Sequence, residues 1–301
     1  MKKLIIDVVA PSSKTLGIYQ YFDQIQALFK DYYNIQISIV DNIIDDSSVF
    51  SASILEVRLQ SFISALQNLD SNVIWAYRGG YGSMELIPFL KPHMFNKYKI
   101  LVGFSDITAL HLYFNQIIGW SSLHATVLDR IVRGVNAQDH IDIINVLLGN
   151  TKNFTYGLYP INAMAKNLTN RDSILGQILG GNLSMVQYSL GTNWQLNSTN
   201  KILIFEDVGE RGYRIFARLE QLKQVGILEK SQAILFGEFI NGEEQDARYL
   251  TQTAIQIAVE NSQVPAFFIK DIGHIARNIP LPLGTSAVIS QNKLLITNPF
   301  I

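Results

Sequence analysis

Apolar residues in the first half of the chain gather into short runs that stop at turn residues. Runs at 4–10, 35–40, 73–77 and 100–102 end at Pro11, at Asp41-Asn42, at Arg78-Gly79-Gly80 and at Gly103 in turn. Between them, 54–69 and 107–118 carry apolar positions at the spacing of a helix with one buried face. Short apolar runs alternating with helical stretches predict parallel strands joined by crossover helices. The first half is therefore expected to be an open, doubly wound α/β domain.

From 150 to 172 the pattern weakens. Thr151-Lys152-Asn153-Phe154-Thr155 and Asn167-Leu168-Thr169-Asn170 are polar and weakly periodic, and the stretch reads as a linker with room for an edge strand. Beyond it, strands are expected at 202–205, 233–236 and 266–269, with helices over 213–228 and 247–260 and further strands near 287–289 and 294–296. The expected division is an N-terminal α/β domain over 1–165 and a smaller α/β C-terminal domain over 166–301. There is no internal repeat and no low-complexity tract.

Composition narrows the classes. With 48% hydrophobic and 16% charged residues, the 301-residue chain has ample core material and is not of the disordered type. A net charge of −1 offers no bulk attraction to nucleic acid or to an anionic membrane. The absence of cysteine removes disulfides, a thiol nucleophile and cysteine-held metal together. The opening residues put Lys2-Lys3 before apolar residues as a signal peptide does, but Asp7 interrupts the run and Pro11 ends it, so a first strand explains it better. No apolar stretch reaches the length of a membrane helix. A cytoplasmic protein is expected.

In parallel α/β sheets, ligands bind beyond the carboxyl ends of the strands. Four places there carry reactive groups. Ser105 follows Gly103-Phe104 on the turn from a strand into a helix, where free N–H groups favour an oxyanion. The usual nucleophile turn has glycine two residues after the serine, and here that residue is Ile107. On this motif alone an ordinary helix cap explains Ser105 better. Arg78-Gly79-Gly80-Tyr81-Gly82-Ser83 permits close backbone approach to a ligand, but lacks the phosphate-loop ending and the dinucleotide spacing. A plain tight turn is its alternative. Glu206-Asp207 ends a buried run, and His274 follows Gly273 just past another.

Jointly these give serine, acid and histidine, the parts of a nucleophile, its base and the group that orients the base. Histidine titrates near neutral pH, as a base for serine must. Of the other histidines, His111 shares a helical stripe with Ile107, Leu110 and Phe114 and reads as core. His93 and His140 read as solvated. His124 reads as structural or as close to the site. No spacing suggests a metal site.

Several segments together resemble the LD-carboxypeptidase family. They are Ala10-Pro11-Ser12-Ser13, the Arg78 to Ser83 turn, Gly103-Phe104-Ser105-Asp106, Gly180-Gly181-Asn182-Leu183-Ser184, Glu206-Asp207-Val208-Gly209-Glu210 with Tyr213-Arg214, and Gly273-His274. The likeness runs in order along nearly the whole chain. It includes murein tetrapeptide carboxypeptidases and microcin C self-immunity peptidases. The resemblance implies a flavodoxin- or Rossmann-like N-terminal domain, a smaller α/β C-terminal domain, a site between them and a homodimer. It assigns Ser105 as nucleophile and Glu206 and His274 as its partners, with the N–H groups of Gly80 and Asp106 as oxyanion hole. It implies no metal and no cofactor. Arg78, beside Gly79 on the glycine turn, is the candidate for meeting a substrate carboxylate, and an ion-pair role is its alternative.

Two departures bear on the substrate. His124-Ala125-Thr126 stands where the family often has His-Gly-Pro, and Phe216-Ala217-Arg218 where it often has Asp-Arg after Tyr-Arg-Ile. The expected function is release of terminal D-Ala from murein tetrapeptide. The alternatives are an immunity-type peptidase or amidase acting on a peptidyl-nucleotide or other acyl amide, and a two-domain protein that only binds a small ligand.

Overall fold

The computed structural model describes residues 3–13, 18–29, 34–39 and 47–301. Met1, Lys2, Val40 and Asp41-Asn42, used in the sequence reading, lie outside the described residues. The chain forms two compact units. One comprises Met1–Asn150 with Ile279–Leu281 and Phe300–Ile301, the other Thr151–Asn278 with Pro282–Pro299. The division therefore falls after Asn150 and not at 165.

In the first unit, β1 (Leu4–Val9), β2 (Ile35–Ile39), β3 (Val73–Ala76), β4 (Ile100–Gly103) and β5 (Ser122–His124) pair in parallel in the order β2-β1-β3-β4-β5. This is the strand order of the flavodoxin-like class, which binds ligands where the order reverses, between β1 and β3. Every residue of β3 and β4 is buried, as befits strands covered on both faces. The helix Leu55–Gln67 turns Phe62, Ala65 and Leu66 inward and packs on β1. Asp7 within β1 is tolerated because Asn68 donates to both its carboxylate oxygens at 3.1 and 3.0 Å. The predicted helix over 107–118 is really three pieces. A 3₁₀ turn (Ser105–Ile107) leads into an α-helix (Thr108–Tyr113) and a π-helical turn (Phe114–Ile118), closed by Gly119 at φ 79°.

The second unit is a barrel. Its strands are β6 (Asn153–Pro160), β7 (Ser173–Asn182), β8 (Lys201–Val208), β9 (Ala233–Ile240), β10 (Ala266–Ile269), β12 (Ser286–Ser290) and β13 (Lys293–Thr297). They close in the order β10-β6-β13-β12-β7-β8-β9. The run β7 to β10 is parallel, and the remaining neighbours are antiparallel. Parallel strands here use helical crossovers such as Gly212–Gln224 and Thr251–Val259. Short β11 (Leu281–Leu283) begins where the chain returns to the first unit, at the β5 edge of that unit's sheet.

The barrel corrects the linker reading of 150–172. β6 is paired on both sides, by β10 and by β13. Its residues alternate, with Phe154, Tyr156 and Leu158 buried and their neighbours exposed. Such a strand is half polar by construction, so its average hydrophobicity looks like that of a loop while its period of two does not. Among the described residues, no helix is long and apolar enough to cross a membrane.

Candidate active site

Ser105 sits directly beyond β4. Its backbone lies at φ 63°, a left-handed conformation that costs a non-glycine residue on the order of 1–3 kcal/mol and survives only where the surroundings enforce it. Gly103 permits the turn, since a Cβ there would fall 2.9 Å from Ile107 Cγ1. Gly79 permits the neighbouring loop to approach, since its Cβ would fall 2.9 Å from Ser105 Cβ and 3.1 Å from Oγ. Within its own unit the Ser105 hydroxyl makes no hydrogen bond among the described residues, so it does not cap the helix. The α-helix itself begins three residues later, at Thr108.

The loops after β1 and β3 are stapled together. Ser13 N–H donates to Gly79 O at 3.2 Å, and Tyr81 N–H donates to Ser13 Oγ at 2.9 Å. Gly80 lies between these bonds at φ 111°. A Cβ there would meet Ser13 Oγ at 2.3 Å, so only glycine fits. Asp106 is buried, and its carboxylate Oδ2 accepts from Ser12 Oγ at 2.6 Å and from Ser83 N–H at 2.8 Å. Burial pushes this carboxyl above its ordinary range, against those hydrogen bonds and the Arg58 charge. Arg78 pairs with Asp129 at 3.4 Å, and Asp129 also holds Arg133 at 2.8 Å. Its side chain is 38% exposed, so the ion pair leaves part of the guanidinium to solvent.

Glu206 and His274 are brought together in the second unit. His274 Nδ1–H donates to Glu206 Oε2 at 2.6 Å, and Glu206 is fully buried. The proton on Nδ1, assigned from this partner, makes Nε2 the basic nitrogen of the neutral ring. Two glycines clear the space. A Cβ at Gly237 would meet Ile272 O at 2.5 Å, and one at Gly273 would meet Glu206 Oε2 at 3.3 Å. The histidine loop is fixed by Glu238 N–H to Ile272 O at 2.8 Å and Gly273 N–H to Asn278 Oδ1 at 3.0 Å.

Contrary to expectation, the strand does not end at the acids. β8 continues to Val208, with a shift of register between Phe205 and Asp207. Neighbouring acids then do different work. Asp207 accepts from Asn182 Nδ2 at 3.0 Å and from Ser184 N–H and Oγ at 3.0 and 2.7 Å. That anchors the Gly180 to Ser184 segment and the start of the helix Leu183–Tyr188. Burial, with the adjacent Glu206 charge, holds the Asp207 carboxyl above its usual range. Glu210 forms a forked pair with Arg218 at 2.7 and 3.2 Å.

His111 is core, as expected. Nε2–H donates to Gly103 O at 2.9 Å and Nδ1 accepts from Ser122 Oγ at 2.8 Å. His124 is buried with its ring edge-on to Phe104, and His93 is exposed. His140 is half-buried, where a solvated side chain was expected, and burial lowers its pKa. Sequence reasoning missed Arg58 and Gly237, and it quoted Ser12 and Ser83 only within motifs, without their shared partner Asp106, which is remote in the chain.

Comparison with known proteins fits this layout. Models of the LD-carboxypeptidase N-terminal and C-terminal domains match residues 6–125 and 175–289. The chain is 37% identical over 247 residues to a putative carboxypeptidase of Rickettsia conorii, covering 81% of this chain and 76% of that one. It is 26% identical over 252 residues to the murein tetrapeptide carboxypeptidase of Pseudomonas aeruginosa, covering 81% of each. In fold it is similar to a muramoyltetrapeptide carboxypeptidase from Oxalobacter formigenes, with TM-score 0.82, 22% identity and 97% of each chain covered. It is also similar to MccF in complex with glutamyl sulfamoyl guanosine, with TM-score 0.83, 18% identity and 100% of this chain and 98% of that one covered. With both domain models matched in order over most of its length, the chain belongs to the LD-carboxypeptidase family.

Proposed function

We propose that the chain is a cytoplasmic serine carboxypeptidase that releases the terminal D-Ala of murein tetrapeptide during peptidoglycan recycling. The observation that carries the chemistry is the 2.6 Å bond from His274 Nδ1 to buried Glu206, which prepares the histidine as a base. Ser105 Oγ attacks the carbonyl carbon of the amide that joins the L-centre of the diamino acid to D-Ala. Its proton passes to His274 Nε2, and the N–H groups of Gly80 and Asp106 meet the oxyanion. Collapse breaks the C–N bond, and the D-Ala amine takes the proton from His274. Water, deprotonated by the same histidine, then hydrolyses the acyl-Ser105 ester. The stabilising donors are N–H groups, so the reading needs no metal, and it carries the homodimer implied by the family.

An exopeptidase must recognise a free carboxylate, and burying one costs several kcal/mol unless donors meet it. Arg78 is the proposed partner, in keeping with its half-open pairing to Asp129. The test is mass spectrometry of three peptides incubated with the protein: the tetrapeptide, its C-terminal amide and its L-Ala-terminated form. Release of D-Ala from the first, with much lower kcat/KM on the other two, supports the reading. Equal cleavage of all three favours the immunity-type amidase, since the departures at His124-Ala125-Thr126 and Phe216 leave the exact substrate open. No cleavage of any acyl amide leaves the binding-protein reading.

A further inference from the structure

Two buried charges tie together the three loops at the carboxyl ends of β1, β3 and β4. Asp106, next to the proposed nucleophile, takes one donor from each of the other two loops on a single oxygen. These are Ser12 Oγ at 2.6 Å, from the loop after β1, and Ser83 N–H at 2.8 Å, from the loop after β3. Ser83 returns the link, its hydroxyl donating to Asp106 O at 2.6 Å. Arg58, on the helix Leu55–Gln67, fastens two of the same loops from behind. Its Nη1 donates to Pro11 O at 2.8 Å and to Gly82 O at 2.9 Å, and its Nε donates to Ser53 O at 3.0 Å. Its Nη2 pairs with Glu85.

The arrangement costs stability. Asp106 Oδ1 is buried and has no hydrogen-bond donor among the described residues. A half-met buried carboxylate is a poor way to stabilise a loop, because a neutral acceptor would hold Ser12 and Ser83 with less desolvation. What the charge supplies is a stronger and shorter grip on both loops at once. The gripped segments are those whose small shifts would matter. Gly80 sits two residues from Gly82 and beside Ser13, and Ser105 is held at φ 63° one residue before Asp106.

We propose that the Asp106 carboxylate, backed by Arg58, is a positioning group. It holds the loops of Ser12-Ser13 and Gly79 to Ser83 in register with the Ser105 turn, so that the oxyanion donors and the nucleophile are set before substrate arrives. The proposal rests on the reading of Ser105 as nucleophile. Asp106 acts through its backbone neighbours, and its side chain touches no reacting atom.

The experiment measures the rate at which a fluorophosphonate probe labels Ser105, well below the melting temperature, in wild type, Ser12→Ala, Asp106→Asn and Ser105→Ala. It is paired with kcat and KM on murein tetrapeptide. Ser12→Ala removes one hydroxyl and keeps the fold, so it decides the matter even where Asp106→Asn fails to fold. Labelling and kcat are expected to fall several-fold in Ser12→Ala and about 10-fold to 100-fold in Asp106→Asn, with KM nearly unchanged. A purely structural Asp106 would lower the melting temperature and leave the labelling rate of the folded protein as it was. That result overturns the positioning role and leaves Ser105 intact. A wild type that is not labelled, or a Ser105→Ala variant that still is, overturns the nucleophile reading and this inference with it.

Discussion

Ser105 and Glu206 each follow a run of buried aliphatic residues, but the chain treats them in opposite ways. The β4 run stops at Gly103, the serine two residues on is left-handed, and the next residue, Asp106, is held by loops from two other strands. The β8 run passes straight through Glu206, which stays fully buried, and the barrel brings the histidine to it on a loop cleared by Gly237 and Gly273. A nucleophile must be presented to substrate, and the residue proposed for that role is set by tied loops and carries backbone strain. The carboxylate proposed to orient the histidine needs burial and a fixed direction, and a strand supplies both. The two regions should therefore fail differently under substitution.

The largest effect is expected at the proposed nucleophile. Ser105→Ala should lose turnover by about 10⁴-fold or more while folding normally, because the covalent route is gone and only binding and oxyanion stabilisation remain. Relief of the φ 63° conformation is not expected, since alanine is strained there too. Steady-state kinetics on the tetrapeptide with circular dichroism decides it. Wild-type turnover in the folded variant would remove Ser105 from the mechanism.

Next comes the choice between adjacent acids. Glu206→Gln keeps the shape but loses the charge that favours the imidazolium, and should cost on the order of 10³-fold to 10⁴-fold in kcat. Asp207→Asn touches Asn182 and Ser184, so it should reduce stability by about 1–3 kcal/mol and activity much less. Urea melts and kcat on both variants separate the roles. If Asp207→Asn proves the more damaging to kcat, the strand presents the other carboxylate to the chemistry.

How much of this was legible in the sequence follows from what each feature depends on. β3 and β4 were legible because strands buried on both faces are unbroken apolar runs. β6 was not, because Phe154, Tyr156 and Leu158 alternate with exposed positions, Asn153, Thr155, Gly157 and Tyr159, and only the barrel shows what buries them. β7 was hidden by its glycines, which read as a motif and not as a strand. Glu206 and His274 stood out by chemistry and by their place near strand ends, and the family likeness joined them. The grip of Asp106 on Ser12 spans 94 residues, and that of Arg58 on Pro11 spans 47. No local pattern encodes such a partner. On its helix, Arg58 looks like an ordinary solvated charge.

The smallest effect contrasts the two histidines and is read in stability. His274 has a carboxylate partner, whereas His111, on the helix after β4, is bonded to Gly103 O and Ser122 Oγ. Burial lowers the His111 pKa to about 3, more than the hydrogen bond to Gly103 raises it. The sign follows from proton uptake. Below the ordinary value of 6.5 the unfolded chain binds a proton that the folded one refuses, so stability falls as pH drops from 6.5 toward 3. The slope approaches about 1.4 kcal/mol per pH unit, or roughly 2–3 kcal/mol between pH 6.5 and 4.5. His111→Gln can still donate to Gly103 O and accept from Ser122, but it does not titrate. Urea unfolding of both proteins across this range should show wild type losing stability relative to the variant by about that amount. A difference that stays constant with pH would mean that His111 accepts its proton inside the fold. The turn under Ser105 would then be less tightly sealed than its buried neighbours imply.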